Sequence, residues 1–169
     1  MKDNLRYFWP LHFVLMFTNW FPDNVIFLRI RGYLASPFFG KCGRDLRLGR
    51  NLTFYNCKNI QIGNHVYIAK SNWFSAGEKI IIDDEVIFGP HSVISAANHT
   101  RKNQSFRYGE PNRKPINIKK GSWIAANCTL VAGSTIGRGS LIAANTVVNS
   151  SIPDNVIFSG NPGKIVKNL

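Results

Sequence analysis

IKKGSWIAANCTLVAGSTIGRGSLIAANTVV, residues 118–148, sets an aliphatic residue at every sixth position: Ile118, Ile124, Leu130, Ile136, Ile142 and Val148. A small residue stands four places after each of the first five: Ser122, Cys128, Ser134, Ser140 and Thr146. A helix repeats its apolar face about every 3.6 residues and a plain strand every 2 or so. A strict period of six is neither. It suits a solenoid in which a short strand and its turn make one flat side. The aliphatic side chain then points inward and the small one fits the tight corner.

Upstream the same period recurs with slips. Leu48, Phe54 and Ile60 form one run, Ile62, Ile68, Phe74 and Ile80 a second, and Ile82, Phe88 and Ile94 a third. The two-residue slips, Ile60 to Ile62 and Ile80 to Ile82, read as slightly longer corners. After Val148 the register jumps to Ile152 and Phe158, and Pro153, Gly160, Pro162 and Gly163 end the repeat. Residues 95–117 have no period and are rich in Asn, Arg, Lys, Gly and Pro, so they are expected to loop out from the coil. A long loop on a compact repeat points to function. The reading is one all-β domain: an N-terminal cap over 1–43, a coil over 44–163 with the extruded loop 95–117, and a tail over 164–169.

The formal net charge of +12 and a pI near 10.0 call for anionic partners. The basic residues are spread rather than packed into one run, and no nucleic-acid-binding module is recognisable, which argues against nucleic acid. A polyphosphorylated cofactor, an acidic glycan or an anionic membrane surface would serve. Cys42, Cys57 and Cys128 lack metal-ligand spacing, so no metal is expected, and they fit a reduced, cytoplasmic setting.

Tyr7–Phe17 is mostly apolar, but 11 residues fall short of the roughly 20 that a membrane span needs. No signal-peptide cleavage pattern follows. Asp23 is expected to cap a short helix from Val25 to Tyr33, amphipathic with Val25, Leu28 and Ile30 against Arg29 and Arg31. Two roles stay open for this segment. It covers the open first coil, or it lies on the inner membrane face as a peripheral contact.

The repeat, the stretch GSWIAANCTLVAGSTIGRGSLIAANTVV and the ending IPDNVIFSGNPGKIV resemble the hexapeptide-repeat acyltransferases, and within them the sugar and polysaccharide O-acetyltransferases. The resemblance covers roughly residues 46–166. It implies a left-handed parallel β-helix, a homotrimer with active sites between neighbouring prisms, and acetyl-CoA as acyl donor lying along the groove. It implies cofactor contacts at Trp123, at the small Ala126 and Ala144, at Asn149 and Ser150 where the family often has a Thr-Lys pair, and at Lys164 and Lys167 near the adenosine phosphates. The Lys of that Thr-Lys pair is absent here.

Moving an acetyl group from a thioester to a hydroxyl needs a base for the hydroxyl proton and donors for the oxyanion. Histidine suits the base because its pKa lies near neutrality. His12 lies in the apolar cap. His65 and His91 sit three residues after Ile62 and Phe88 and read as surface corners. His99 opens the extruded loop in SAANHT, where the family's catalytic histidine falls. Glu78, Asp83, Asp84, Glu85, Glu110 or a backbone carbonyl could orient it, and backbone amides would meet the oxyanion. Cys128 as nucleophile is the covalent rival; its corner position favours packing. For the acceptor, Ser71, Asn72 and Trp73 offer polar groups beside an aromatic surface, and Arg107 and Arg113 would suit an acidic sugar or a lipid-linked diphosphate. The expected function is O-acetylation of a saccharide in capsule, lipopolysaccharide or exopolysaccharide biosynthesis. The alternatives are N-acetylation of an amino sugar or antibiotic, and a non-catalytic scaffold.

Overall fold

A computed structural model describes residues 2–169. The chain winds into a three-sided prism, a parallel β-helix capped by helices at its start. Face 1 is built from Lys41–Cys42, Ile60–Ile62, Ile80–Ile82, Ile116–Ile118, Thr135–Ile136 and Ser151–Ile152. Face 2 runs from Arg47–Leu48 through Tyr67–Ile68, Ile87–Phe88, Trp123–Ile124 and Leu141–Ile142 to Val156–Gly160, with Gly163–Asn168 added antiparallel. Face 3 holds Thr53–Tyr55, Trp73–Ser75, Val93–Ser95, Thr129–Leu130 and Val147–Val148.

The six-residue period has a local cause. At the corners that follow faces 1 and 2, the third residue after the last inward aliphatic turns into the left-handed region, as at Asn51 (φ 56°), His65 (55°), His91 (62°), Asn127 (57°) and Asn145 (60°). Asn, Asp and His tolerate that region better than other residues with a Cβ. Each such corner redirects the chain onto the next face. The small residue that follows is buried, as expected: Ser122, Cys128, Ser134, Ser140 and Thr146 are all at most 1% exposed. The Ser134 hydroxyl donates to the carbonyls of Val131 and Val148, tying its corner to the next coil.

The two-residue slips are not long corners. Ile60 and Ile62 lie at the two ends of one face 1 strand and both point inward, as do Ile80 and Ile82. Ile116 and Ile118 repeat the arrangement, so Ile116 belongs to the coil and not to the loop. These doubled strands make the early coils longer: Leu48, Ile68 and Phe88 align at intervals of twenty residues, Ile124 and Ile142 at eighteen. The wider coils are filled by aromatic rings. Phe54 stacks on Phe74 at 5.0 Å, and Phe74 meets Phe88 edge-on at 5.4 Å. Burying each such side chain contributes roughly 1.5–3 kcal/mol.

The boundaries shift accordingly. The first coil starts at Lys41, inside the expected cap, and residues 164–169 are largely strand rather than tail. That antiparallel strand covers the edge which the last coil would expose. At the other end, α1 (Trp9–Thr18) and α2 (Val25–Ala35) close the solenoid. A Cβ on Gly32 would run into the carbonyl of Leu46, so α2 crosses the first coil at its glycine.

Two expectations for α2 are corrected. Its N-cap is Asn24, whose side chain accepts from the amides of Ile26 and Phe27, each at 3.1 Å. Its amphipathicity differs from the expected pattern, although Arg29 is exposed and Leu28 half-buried. Arg31 is fully buried, while Val25, Ile26, Ile30, Tyr33 and Leu34 face solvent. Asp23, released from capping, holds Arg31 at 3.0 Å, and Arg31 also donates to the carbonyls of Thr18, Phe21 and Leu48.

Candidate active site

The prism has three edges, and the expected site residues fall on two of them. On the edge between faces 3 and 1, the strand Val93–Ser95 runs out through the buried Ala96 into the extruded loop. The loop root is a short antiparallel pair, Ala97 opposite Arg113 and Asn98 opposite Asn112. His99 follows at once and is exposed. Thr100 then donates its hydroxyl to the Glu110 carbonyl, so His99 sits between two anchored neighbours. Arg107 is exposed further out, its guanidinium over the Tyr108 ring at 6.0 Å. The loop carries Arg101, Lys102, Arg107, Arg113 and Lys114 against the single carboxylate Glu110. Its field therefore favours an anion. Asn149 and Ser150 lie exposed on the same edge in a later coil.

The edge between faces 2 and 3 carries the other group. Ser71, His91, Asn127 and Asn145 turn the corner in successive coils. Beside them, Ala126 and Ala144 present only methyl groups, leaving backbone accessible. The Asn145 amide donates to the Ala126 carbonyl, which places the two alanines in adjacent coils of this edge. Trp123 projects from face 2, 49% exposed. Lys164 and Lys167 stand exposed on the final strand, opposite Ser159 and Ile157 at the end of face 2. Face 3 separates the two edges within one chain.

Several side chains have other partners than expected. Asn72 is buried, and its amide is consumed by the corner: it donates to the carbonyls of Ala69 and Gly89 and accepts from the Ser92 amide. It is a strut and is not presented to an acceptor. Its neighbour Trp73 is exposed on face 3, 5.7 Å from Tyr55, on which Phe8 stacks at 5.9 Å. That aromatic row was not singled out from sequence; the alignment of Thr53 with Trp73 at the twenty-residue interval carries the signal.

No side chain among the described residues hydrogen-bonds a His99 ring nitrogen. Asp83 and Glu85 lie on the edge between faces 1 and 2, facing Lys119 and Lys120 at 3.9 and 3.1 Å. Asp84 accepts from the backbone and side-chain amides of Asn64, bonds that lower its pKa. Glu78 accepts from the Lys79 amide. His65 is a corner residue 3.2 Å from Asp45. Burial pushes the Cys128 thiol up, and its Sγ points at the Ala143 carbonyl, so it is neither ionised nor presented. All three cysteines are free. Among the described residues, no cluster of His, Cys, Asp and Glu could hold a metal ion.

Residues 115–150 match the family described as bacterial transferase hexapeptide (six repeats). Over 171 aligned residues the chain is 30% identical to the putative lipopolysaccharide biosynthesis O-acetyl transferase WbbJ of Escherichia coli (strain K12), covering 90% of this chain and 84% of that protein. The chain belongs to the hexapeptide-repeat acyltransferases.

Two solved hexapeptide-repeat structures resemble it along almost its whole length. One is the hexapeptide-repeat containing acetyltransferase of Vibrio cholerae O1 biovar eltor complexed with acetyl coenzyme A. It superposes with a TM-score of 0.82 at 28% identity, over 95% of this chain and 85% of that one. The other is a galactoside acetyltransferase in complex with coenzyme A, with a TM-score of 0.84 at 25% identity, over 99% and 80%. The residues of this acyltransferase matched by the family pattern include Trp123, Ala126, Ala144, Asn149 and Ser150. The pattern begins after the His99 loop, whose position comes from the fold.

Proposed function

We propose that this acyltransferase moves an acetyl group from acetyl-CoA to a hydroxyl of a saccharide, with His99 as the general base. The observation that carries the reading is the setting of His99. Of the four histidines, His65 and His91 are spent on left-handed corners and His12 lies in α1. His99 stands on the cationic loop, held in place by its neighbours.

In the step proposed, the acceptor oxygen attacks the thioester carbonyl while His99 Nε2 takes the hydroxyl proton. The tetrahedral intermediate collapses with loss of the coenzyme A thiolate, which recovers that proton from the imidazolium. Backbone amides meet the oxyanion. No acyl-enzyme forms; the buried, protonated Cys128 is unsuited to one. Ala126 and Ala144 leave room for the pantetheine arm along the 2–3 edge, Trp123 walls it, and Lys164 and Lys167 face the phosphates. Asn149 and Ser150 lie on the His99 edge.

Those two groups are on different edges of one prism. A homotrimer, in which the His99 edge of one copy faces the alanine edge of the next, completes the site. Ser71, Trp73, Arg107 and Arg113 would line the acceptor side. The likeness to WbbJ and the basic loop favour a lipopolysaccharide or related polysaccharide building block as acceptor. The three free thiols support a reducing, cytoplasmic setting.

The test is thiol release from acetyl-CoA against a panel of bacterial glycans, for wild type and His99→Ala. Acceptor-dependent release that drops by at least about two orders of magnitude is expected. Undiminished release would remove His99 from the chemistry. Light scattering in solution checks the trimer.

A further inference from the structure

Helix α1 contains no Lys, Arg, Asp or Glu and buries only Leu11, Leu15 and Thr18. Trp9, Phe13, Met16 and Phe17 on its remaining surface are open to solvent, and Trp20 just beyond it is 87% exposed. A helix that is apolar all round is ordinarily covered all round. Among the described residues, twelve of the twenty-two exposed large apolar side chains fall within residues 5–34, a fifth of the chain. Scattered surface hydrophobics need no explanation; this concentration does.

Helix α2, packed against α1, repeats the pattern by an unusual device. It draws Arg31 inside, where Asp23 and three carbonyls bind it, and turns Ile26, Ile30 and Tyr33 outward. The buried guanidinium fixes the helix in that orientation.

The same end of the molecule is cationic. Residues 1–50 hold eight lysines and arginines and three carboxylates. Every one of those carboxylates is already paired: Asp3 with Lys58, Asp23 with Arg31 and Arg50, Asp45 with Arg29 and Arg47. A second copy placed on this face would set like charge against like. An anionic surface would be attracted to it. The exposed side chains include Trp9, Trp20 and Tyr33, the residue types that settle at the boundary between lipid headgroups and acyl chains. No helix among the described residues is long and apolar enough to cross a membrane.

We propose that the α1–α2 end of the protein lies on an anionic phospholipid surface, its aromatic side chains in the headgroup boundary. The purpose rests on the acetyltransferase reading, since docking would bring the His99 loop to acceptors carried on lipid. The binding itself does not depend on that reading.

The test is sedimentation of the full chain with phosphatidylcholine vesicles, with and without phosphatidylglycerol, followed also by tryptophan emission. Binding confined to the anionic vesicles, a blue shift, and weakening by added salt are expected. The Phe17→Ser/Trp20→Ser variant should lose at least about ten-fold in partitioning with an unchanged circular dichroism spectrum. Failure of wild type to bind, or equal binding by the variant, overturns the proposal. So does a variant that falls from trimer to monomer in light scattering, because the face is then a contact between copies. Because no turnover is measured, a chain that binds vesicles but releases no thiol keeps this inference and loses the enzymatic one.

Discussion

The solenoid and its helical cap are built from similar apolar residues, but the coils bury every repeat position whereas the cap buries only some, such as Leu11, Leu15 and Ala35. In the coils every sixth aliphatic points inward and is buried, from Leu48 to Phe158. In the cap, Arg31 is inside and Trp20, Ile26 and Tyr33 are outside. A repeat packs each coil on a copy of itself, so the local period states which side chains are buried. A cap packs on a surface unlike itself. There the partner decides: Arg31 reaches the Leu48 carbonyl of the first coil, while the carbonyls of Thr18 and Phe21 come from the cap itself.

The comparison can be pressed by substitution, starting where the expected effect is largest. Phe88→Ala leaves a void between Phe74 and the adjoining coils and should cost about 3–5 kcal/mol, read from guanidinium unfolding. A loss well under that would mean the wide coils collapse onto the gap. Arg31→Met in the cap removes the cation, leaves the carbonyls it served unpaired and leaves Asp23 with Arg50 alone. It should cost about 2–4 kcal/mol; a neutral or stabilising outcome would show that the buried charge is incidental to the cap. Asn24→Ala unties two amides at the start of α2 and should lower stability by about 1 kcal/mol, visible as a small drop in Tm.

Asp45 joins the two regions, accepting from Arg47 in the coil at 2.8 Å and from Arg29 in α2 at 2.9 Å. The hydrogen bond from Arg47, with that from His65 and the nearby charges, holds its carboxyl far below the usual range. A depressed folded pKa contributes stability that is present above the unfolded value, near about pH 4, and is lost as the pH falls through the folded one. Asp45→Asn should therefore be less stable than wild type at neutral pH, by under about 1 kcal/mol for a pair whose arginines are open to solvent. The gap should close as the pH drops below about 4. A gap independent of pH would assign the effect to packing. The smallest change is expected on the exposed cap face, where Phe17→Ser/Trp20→Ser should move stability by no more than about 0.5 kcal/mol. A large loss would show that the face is packed in solution.

The sequence by itself determined the coil, because its burial is encoded at short range. The six-residue period, the small corner residues, the extruded loop with His99 and the corner roles of His65 and His91 were all legible. It misread what depends on residues brought from elsewhere. The Ile60–Ile62 step looked like a long corner, yet both side chains face inward because a three-residue strand shows its two ends to the same side. Asn72 looked like an acceptor ligand, but the carbonyls of Ala69 and Gly89 and the Ser92 amide occupy it. The covered face of α2 was hidden for the same reason. A hydrophobic pattern marks the covered face only when every contact is apolar, and α2 meets the first coil at Gly32 and through the bond from Arg31 to the Leu48 carbonyl. Only the tertiary structure could also place His99 on one edge of the prism and Ala126 and Ala144 on another. How far apart two coil positions lie around the prism depends on how the chain closes each turn, and the period of six leaves that unstated.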